Sequence, residues 1–104
     1  MTELPHTVAL VLNWRLPDVT LQCLRDLRTC GCAGLDVLVI DNGSGDGSAE
    51  RFEREAEGAA VLALEQNIGY CAAINRGIAW ARERGAELVL FLNNDMRLPP
   101  GFLR

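Results

Sequence analysis

Four short apolar runs, each closing on Asn, Asp or Gln, constrain this chain more than any other feature. Residues 7–12 run into Asn13-Trp14, residues 36–40 into Asp41-Asn42-Gly43, residues 60–64 into Glu65-Gln66-Asn67, and residues 87–92 into Asn93-Asn94-Asp95. Short aliphatic runs of this kind, bounded by turn-formers, read as strands buried on both faces, and such strands belong to parallel sheets. Parallel strands need crossover connections, and the intervening stretches read as helices. Pro17 and Asp18 open the first, with Asp18 placed to cap it or favour its dipole, and Leu21, Cys23, Leu24 and Leu27 recur along it. A Gly-containing stop follows at 30–34. The second spans 48–57 with a thin apolar face of Ala49, Phe52 and Ala56, and Asp46 or Ser48 as its cap. The third spans 70–84 with Cys71, Ile74, Ile78 and Ala81 as its stripe and Gly85 as its stop. The order is β-α-β-α-β-α-β. The expected fold is therefore α/β: a three-layer α/β/α sandwich on a mostly parallel sheet with right-handed crossovers. Ligands of such sheets bind outside the carboxyl ends of the strands. One Asn or Asp at a strand end is ordinary turn chemistry. Four such ends on one rim make a candidate crevice.

Length and composition narrow the reading. At 104 residues the chain is a single domain, small for an α/β enzyme. A 49% hydrophobic, 23% charged composition is that of a globular protein. The net charge of −4 argues against a nucleic-acid or anionic-membrane surface. All ten basic residues are Arg, which excludes Lys-based chemistry within these residues. Residues 1–6 are polar and carry no secretory signal pattern, and no apolar stretch approaches the ~20 residues of a membrane span. The expected location is cytoplasmic, with membrane association through a further C-terminal part left open. Cys30-Gly31-Cys32 lacks Cys-x-x-Cys spacing, and His6 is the only histidine, so metal or redox chemistry at the cysteines is set aside. Cys23 and Cys71 read as small core residues, and Tyr70 and Trp80 as packing residues. The final Pro99-Pro100-Gly101-Phe102-Leu103-Arg104 reads as the start of a helix too short to stand alone. Residues 1–104 are therefore expected to be the N-terminal part of a longer domain, with an unfinished sheet face available for self-association.

Two motifs carry chemistry. Gly43, Gly45 and Ser48 approach the G-x-G-x-x-G dinucleotide fingerprint, with Glu65 some twenty residues on as a ribose-binding acid. The third small residue is Ser, however, and the loop follows the second strand rather than the first. Asp41 and Asp95 offer more. A carboxylate at a strand end can accept hydrogen bonds from a base or ribose, and another can hold Mg²⁺ or Mn²⁺ against a diphosphate. Such ions commonly take one or two protein carboxylates and complete their shell with phosphate oxygens.

Asn13-Trp14, Val39-Ile40-Asp41-Asn42-Gly43-Ser44, Asn67-Ile68-Gly69, Ala73-Ile74-Asn75-Arg76-Gly77-Ile78 and Leu92-Asn93-Asn94-Asp95 together resemble the successive motifs of family 2 glycosyltransferases. That resemblance spans residues 7–103, and its Asn-Asn-Asp form is similar to the rhamnosyltransferase-like branch. It implies the GT-A fold, a nucleoside-diphosphate-sugar donor linked through UDP or dTDP, a divalent metal (Mg²⁺ or Mn²⁺) and transfer with inversion to a saccharide or lipid-linked saccharide acceptor. By position, it implies that Asn13 and Trp14 line the nucleoside pocket and that Asp41 bonds the base. Asn67 and Gly69 then shape the nucleotide loop, and Asn75 and Arg76 belong to the helix behind it. Asn93, in place of the first acid of a D-x-D motif, stands near the ribose or sugar, Asn94 belongs to the same nucleotide-sugar site, and Asp95 is the metal ligand. The catalytic base is expected beyond Arg104, which would leave residues 1–104 inactive alone. Bland roles stay open beside these: Trp14 as a cover for the sheet edge, Asn75 and Arg76 as ordinary helix residues. The alternatives are a Rossmann-like dinucleotide binder, a nucleotidyltransferase, or a non-catalytic fragment that associates through its sheet.

Overall fold

A computed structural model of the chain describes residues 3–30 and 33–99. The element order is β1 (Glu3–Asn13), α1 (Pro17–Thr29), β2 (Ala33–Asp41), α2 (Ser48–Glu55), β3 (Ala59–Ala63), α3 (Tyr70–Glu83) and β4 (Leu88–Leu92). The expected seven elements are therefore present, and β1 begins four residues earlier than its apolar run. Residues 100–104 of the expected C-terminal helix start, and residues 31 and 32 of the 30–34 stop, lie outside the described residues.

The four strands form one parallel sheet in the order β3-β2-β1-β4. Period-two alternation divides its residues between two cores. Ala9, Val11 and Val39 pack with Leu21, Cys23, Leu24 and Leu27 of α1 and Phe52 of α2. Val8, Leu10, Leu38 and Ile40 pack on the other face with Ala73 and Ala81 of α3. Three layers result. The chain moves from β1 to β2 to β3 in one direction and then returns past β1 to β4. A crossover of constant hand that reverses direction must change faces, which is why α3 lies opposite α1 and α2. The gap between the carboxyl ends of β1 and β4 is the topological switch point.

Local chemistry explains the helix limits. α1 starts with Pro17 in its first turn, where the missing N–H costs nothing. Asp18 does not cap it; its carboxylate pairs with Arg51 of α2. α3 ends in a Schellman motif: Gly85 (φ +76°) donates its N–H to Arg82 O, and Ala86 donates to Ala81 O. The buried face of α3 differs from the expected stripe. Ala73, Ile74, Gly77 and Ala81 face the sheet, while Cys71 is exposed. The reason is Gly77, where a Cβ would stand 2.6 Å from Ile40 Cδ1 and 3.1 Å from Leu10 Cδ1. α3 lies so close to the sheet that its contact line must be made of small residues. Trp80 packs as expected, half-buried and covered by the Arg84 guanidinium at 3.7 Å.

Candidate functional site

Register fixes the rim. Asn13 ends β1 level with Asp41 at the end of β2, and Asp41 is level with Ala63 of β3. Leu92 ends β4 beside Val11, so residues 93–95 leave the sheet next to Leu12 and Asn13. Alternation then sends Asn13 and Asp41 toward α1 and α2, and Asn42 toward α3.

Asp41 is 5% exposed, and its Oδ1 accepts from Asn13 Nδ2 at 3.0 Å and from the Ser44 hydroxyl. No hydrogen bond within the described residues uses its Oδ2. Yet no buried polar side-chain atom lacks a partner, so Oδ2 keeps access to the crevice. That crevice is a cleft of about 470 Å³ lined by Asp41, the 43–47 loop, Glu50 and Glu65. Asn13, by contrast, is fully buried. Its Oδ1 accepts from the Thr20 hydroxyl at 2.6 Å, and its amide also lies 3.3 Å from Ser44 Oγ. Asn13 therefore lines no pocket; it holds Asp41 from behind.

Asn42, 3% exposed, organises the neighbouring loop. Its Oδ1 accepts from Ile68 N–H at 3.0 Å, and its Nδ2 donates to Asn67 Oδ1 at 3.2 Å and Gly69 O at 3.4 Å. Asn67 Oδ1 also accepts from Gly69 N–H at 2.8 Å. Beside it, Gly43 (φ +69°) admits no side chain, because a Cβ would fall on the Gln66 and Asn67 backbone. Asn67 and Gly69 thus form one clamped loop against the end of β2. Asn42, Ser44 and Thr20 were absent from the sequence-derived site. The first two sit inside the Asp41-Asn42-Gly43-Ser44 motif and were within reach; Thr20 carried no signal.

The second cleft, about 340 Å³, opens at the switch point and is lined by Leu12, Trp14, Leu16, Tyr70, Leu92, Asn93, Asn94 and Asp95. Trp14 is 44% exposed and Tyr70 59% exposed. Tyr70, expected to pack, faces this cleft instead, since it begins α3 at the rim. Asn94 turns inward and donates to Thr20 Oγ1 at 3.0 Å. Asn93 and Asp95, on either side, remain exposed, and Asp95 has no hydrogen bond or ion pair among the described residues. The following segment is held by Asp26, whose Oδ2 accepts from Leu98 N–H at 2.8 Å and pairs with Arg97 at 3.0 Å. Beneath the turn lies Cys23, its sulfur 3.9 Å from Asn93 O. Burial first, then the charges of Asp26 and Asp95, push its thiol up to about 11, so it is a protonated packing group.

Arg15 links the two clefts. It adopts φ +58°, uncommon for a side-chain-bearing residue. Its N–H donates to Ser44 Oγ at 2.8 Å, its Nε to Ser44 O at 3.1 Å, and its guanidinium stands 4.6 Å from the Trp14 ring centre. Asp46 lies near its charge. The Ser48 hydroxyl is the main force holding the Asp46 carboxyl below its ordinary range; burial opposes it, and the Ser48 N–H and the Arg15 charge add to it. The N-cap of α2 is Gly47, with no side-chain cap bond, rather than the expected Asp46 or Ser48; Asp46 instead accepts the Ser48 N–H from one residue before it. Arg76 borders a third rim cleft with Glu65, Gln66 and Ile68. Asn75 is exposed on α3 and lines none of the three.

Among the described residues no group of three His, Cys, Asp or Glu side chains could hold a metal ion. The exposed Asp95, with Asn93 beside it, fits a hard cation only in the company of outside oxygens such as those of a diphosphate.

These features define an α/β domain with a parallel-sheet ligand crevice, and comparison with known proteins makes the class specific. A family profile, Glycosyl transferase family 2, matches residues 11–104. The chain belongs to that family. It is 36% identical over 89 residues to the undecaprenyl-phosphate 4-deoxy-4-formamido-L-arabinose transferase of Pseudomonas paraeruginosa, covering 82% of this chain and 25% of that protein. The same transferase of Pseudomonas aeruginosa is 39% identical over 69 residues, covering 62% and 20%. The chain thus spans about a quarter or less of the length of these curated relatives. Among solved structures, the mannosyltransferase PcManGT of Pyrobaculum calidifontis, in complex with GDP-Man and Mn²⁺, superposes with a TM-score of 0.79 at 21% identity, covering 93% of this chain and 29% of that one. The fold is therefore that of a GT-A glycosyltransferase. The family assignment displaces the dinucleotide-binding reading, whose glycine loop lies at β2–α2, one strand away from the switch point.

Proposed function

We propose that this chain binds the nucleoside-diphosphate-sugar donor of a sugar-transfer reaction, with Asp41 reading the base and Asp95 meeting the diphosphate through Mg²⁺ or Mn²⁺. The observation that carries this is the state of Asp41: one oxygen committed to Asn13 and Ser44, the other open to a cleft. An acceptor fixed in this way suits a ring N–H, as in uracil or thymine. Asp95 would receive the metal, which when bound offsets charge on the leaving diphosphate. Trp14 and Tyr70 give the switch-point cleft apolar walls, and the Asn67–Gly69 loop is clamped to the end of β2 by Asn42. The Mn²⁺ and nucleotide sugar of the superposed mannosyltransferase support a metal-assisted donor site.

Direct displacement with inversion needs a carboxylate to deprotonate the acceptor hydroxyl. Among the described residues Asp95 is the one acid lining the switch-point cleft, so this base is proposed to lie outside residues 1–104, and these residues alone to transfer no sugar. The relatives named for undecaprenyl phosphate favour a lipid-linked acceptor. The rhamnosyltransferase-like affinity rests on the Asn93-Asn94-Asp95 spelling alone. β4 is an edge strand with Leu88 53% and Phe91 47% exposed, which favours self-association or cover by another segment along that edge.

Calorimetric titration of UDP, dTDP and CDP, with and without Mn²⁺, tests the reading. UDP and dTDP should bind with Mn²⁺ and CDP should not, because cytosine has no N3–H to donate. Asp95→Ala should abolish the metal dependence. Equal binding of CDP, or none by any nucleotide, would sink the assignment of Asp41.

A further inference from the structure

The two halves of the rim are joined through the protein by an unbroken line of hydrogen bonds. Asn94 Nδ2 donates to Thr20 Oγ1 at 3.0 Å, Thr20 Oγ1 donates to Asn13 Oδ1 at 2.6 Å, and Asn13 Nδ2 donates to Asp41 Oδ1 at 3.0 Å. Every donor points the same way, from the turn at 93–95 to the Asp41 carboxylate. Donors aligned head to tail polarise one another, so each bond strengthens the next. A second, shorter line reaches the same oxygen, from Arg15 N–H through the Ser44 hydroxyl.

Thr20 is the pivot of the longer line. It is fully buried on the face of α1 that otherwise presents Leu21, Leu24 and Leu27 to the core. A helical Thr ordinarily returns its hydroxyl to a carbonyl of the preceding turn. This one points out of its helix, and its single hydroxyl serves as donor on one side and acceptor on the other. A Val of the same shape would fill the space equally well, so packing alone does not account for a hydroxyl here.

We infer that Thr20 is a positioning residue that ties the turn bearing Asp95 to the carboxylate of Asp41, so that the metal end and the base end of the donor site are set together. Thr20 touches neither ligand. Its hydroxyl fixes Asn94, which aims its neighbours Asn93 and Asp95 outward, and it fixes the Asn13 amide, which orients Asp41. This inference rests on the proposed donor site for its consequence, but the link itself can be read without ligand.

The test compares wild type with Thr20→Val and Thr20→Ser by two readouts. The first is the Asn94 side-chain amide resonance by NMR. Asp41→Asn should shift that resonance in the Thr20 protein and in Thr20→Ser, and should leave it unmoved when combined with Thr20→Val. The second is the factor by which Mn²⁺ raises UDP affinity. It should fall about threefold or more in Thr20→Val, as expected for residues sharing one network, and recover in Thr20→Ser. Leu27→Ala, a core variant remote from the rim, should lower stability without changing that factor. An Asn94 signal insensitive to Asp41→Asn in the Thr20 protein overturns the link itself. An unchanged Mn²⁺ factor in Thr20→Val, with metal-dependent binding intact in wild type, overturns its role in the site. Absence of metal-dependent binding in wild type overturns the donor-site reading and the coupled role together, while the NMR arm still decides the link.

Discussion

Asp41 and Asp95 are both strand-end aspartates on one rim, and they are built in opposite ways. Asp41 is nearly sealed, its Oδ1 held by Asn13 and Ser44, with Thr20 and Arg15 behind them. Asp95 is exposed on a turn whose anchor is its neighbour Asn94. The first is preorganised and contributes to the stability of the fold. The second keeps its charge exposed and unpaired among the described residues, as the proposed metal-assisted donor site requires. A site that reads one part of a ligand by fixed geometry and another through an incoming ion needs this asymmetry. Had Asp95 been buried and paired like Asp41, a cation would have had to displace protein partners to reach it.

The largest expected effect that would sharpen this contrast is on stability. Asp41→Ala removes the buried acceptor shared by the Asn13 amide and the Ser44 hydroxyl and should cost about 2–4 kcal/mol. Asp95→Ala should change stability by no more than about 0.5 kcal/mol, as exposed substitutions usually do. Urea denaturation of both variants measures the difference, and equal losses would break the comparison. Next is Asn42→Ala, which leaves the Ile68 N–H without its acceptor and frees the 67–69 loop. It should cost about 1–2 kcal/mol, and amide exchange at Ile68 and Gly69 should quicken while exchange in β1 holds. The last effect is confined to high pH. The Cys23 thiol is raised to about 11 from 9.0, chiefly by burial. The native state therefore keeps a proton that the unfolded chain has released, and stability is full below about pH 9 and declines as pH rises toward 11. Denaturation curves across that window should flatten in Cys23→Ala.

Much of this was legible in the sequence because it rests on period and punctuation. Apolar runs closed by Asn and Asp gave the strands and their common rim, and marked Asp41 and Asp95 as strand-end carboxylates, whose proposed roles come with the family resemblance. What escaped were directions. Asn13 was placed in the nucleoside pocket by its position in the family resemblance, just after the first apolar run. Only the register, which turns it toward α1, shows that Thr20 receives it. The α3 stripe was drawn through Cys71 because hydrophobicity ranks it above glycine, while Ile78, also in that stripe, does pack against the core. At a close helix–sheet contact the ranking inverts, and Gly77 and Ala73 take the interior while Cys71 turns out. Tyr70 was assigned to packing on residue type, yet it opens a helix at the rim, where an aromatic ring meets the cleft.

The outward turn of Cys71 offers a practical opening. Cys23 and Cys30 are buried, whereas Cys71 is exposed and adjoins Tyr70, a wall of the switch-point cleft. In a Cys32→Ser background, a thiol-reactive dye would attach selectively beside the crevice, and its emission would report occupancy at nanomolar protein. The position expected to be hidden in the core thus becomes a native anchor for a fluorescent sensor.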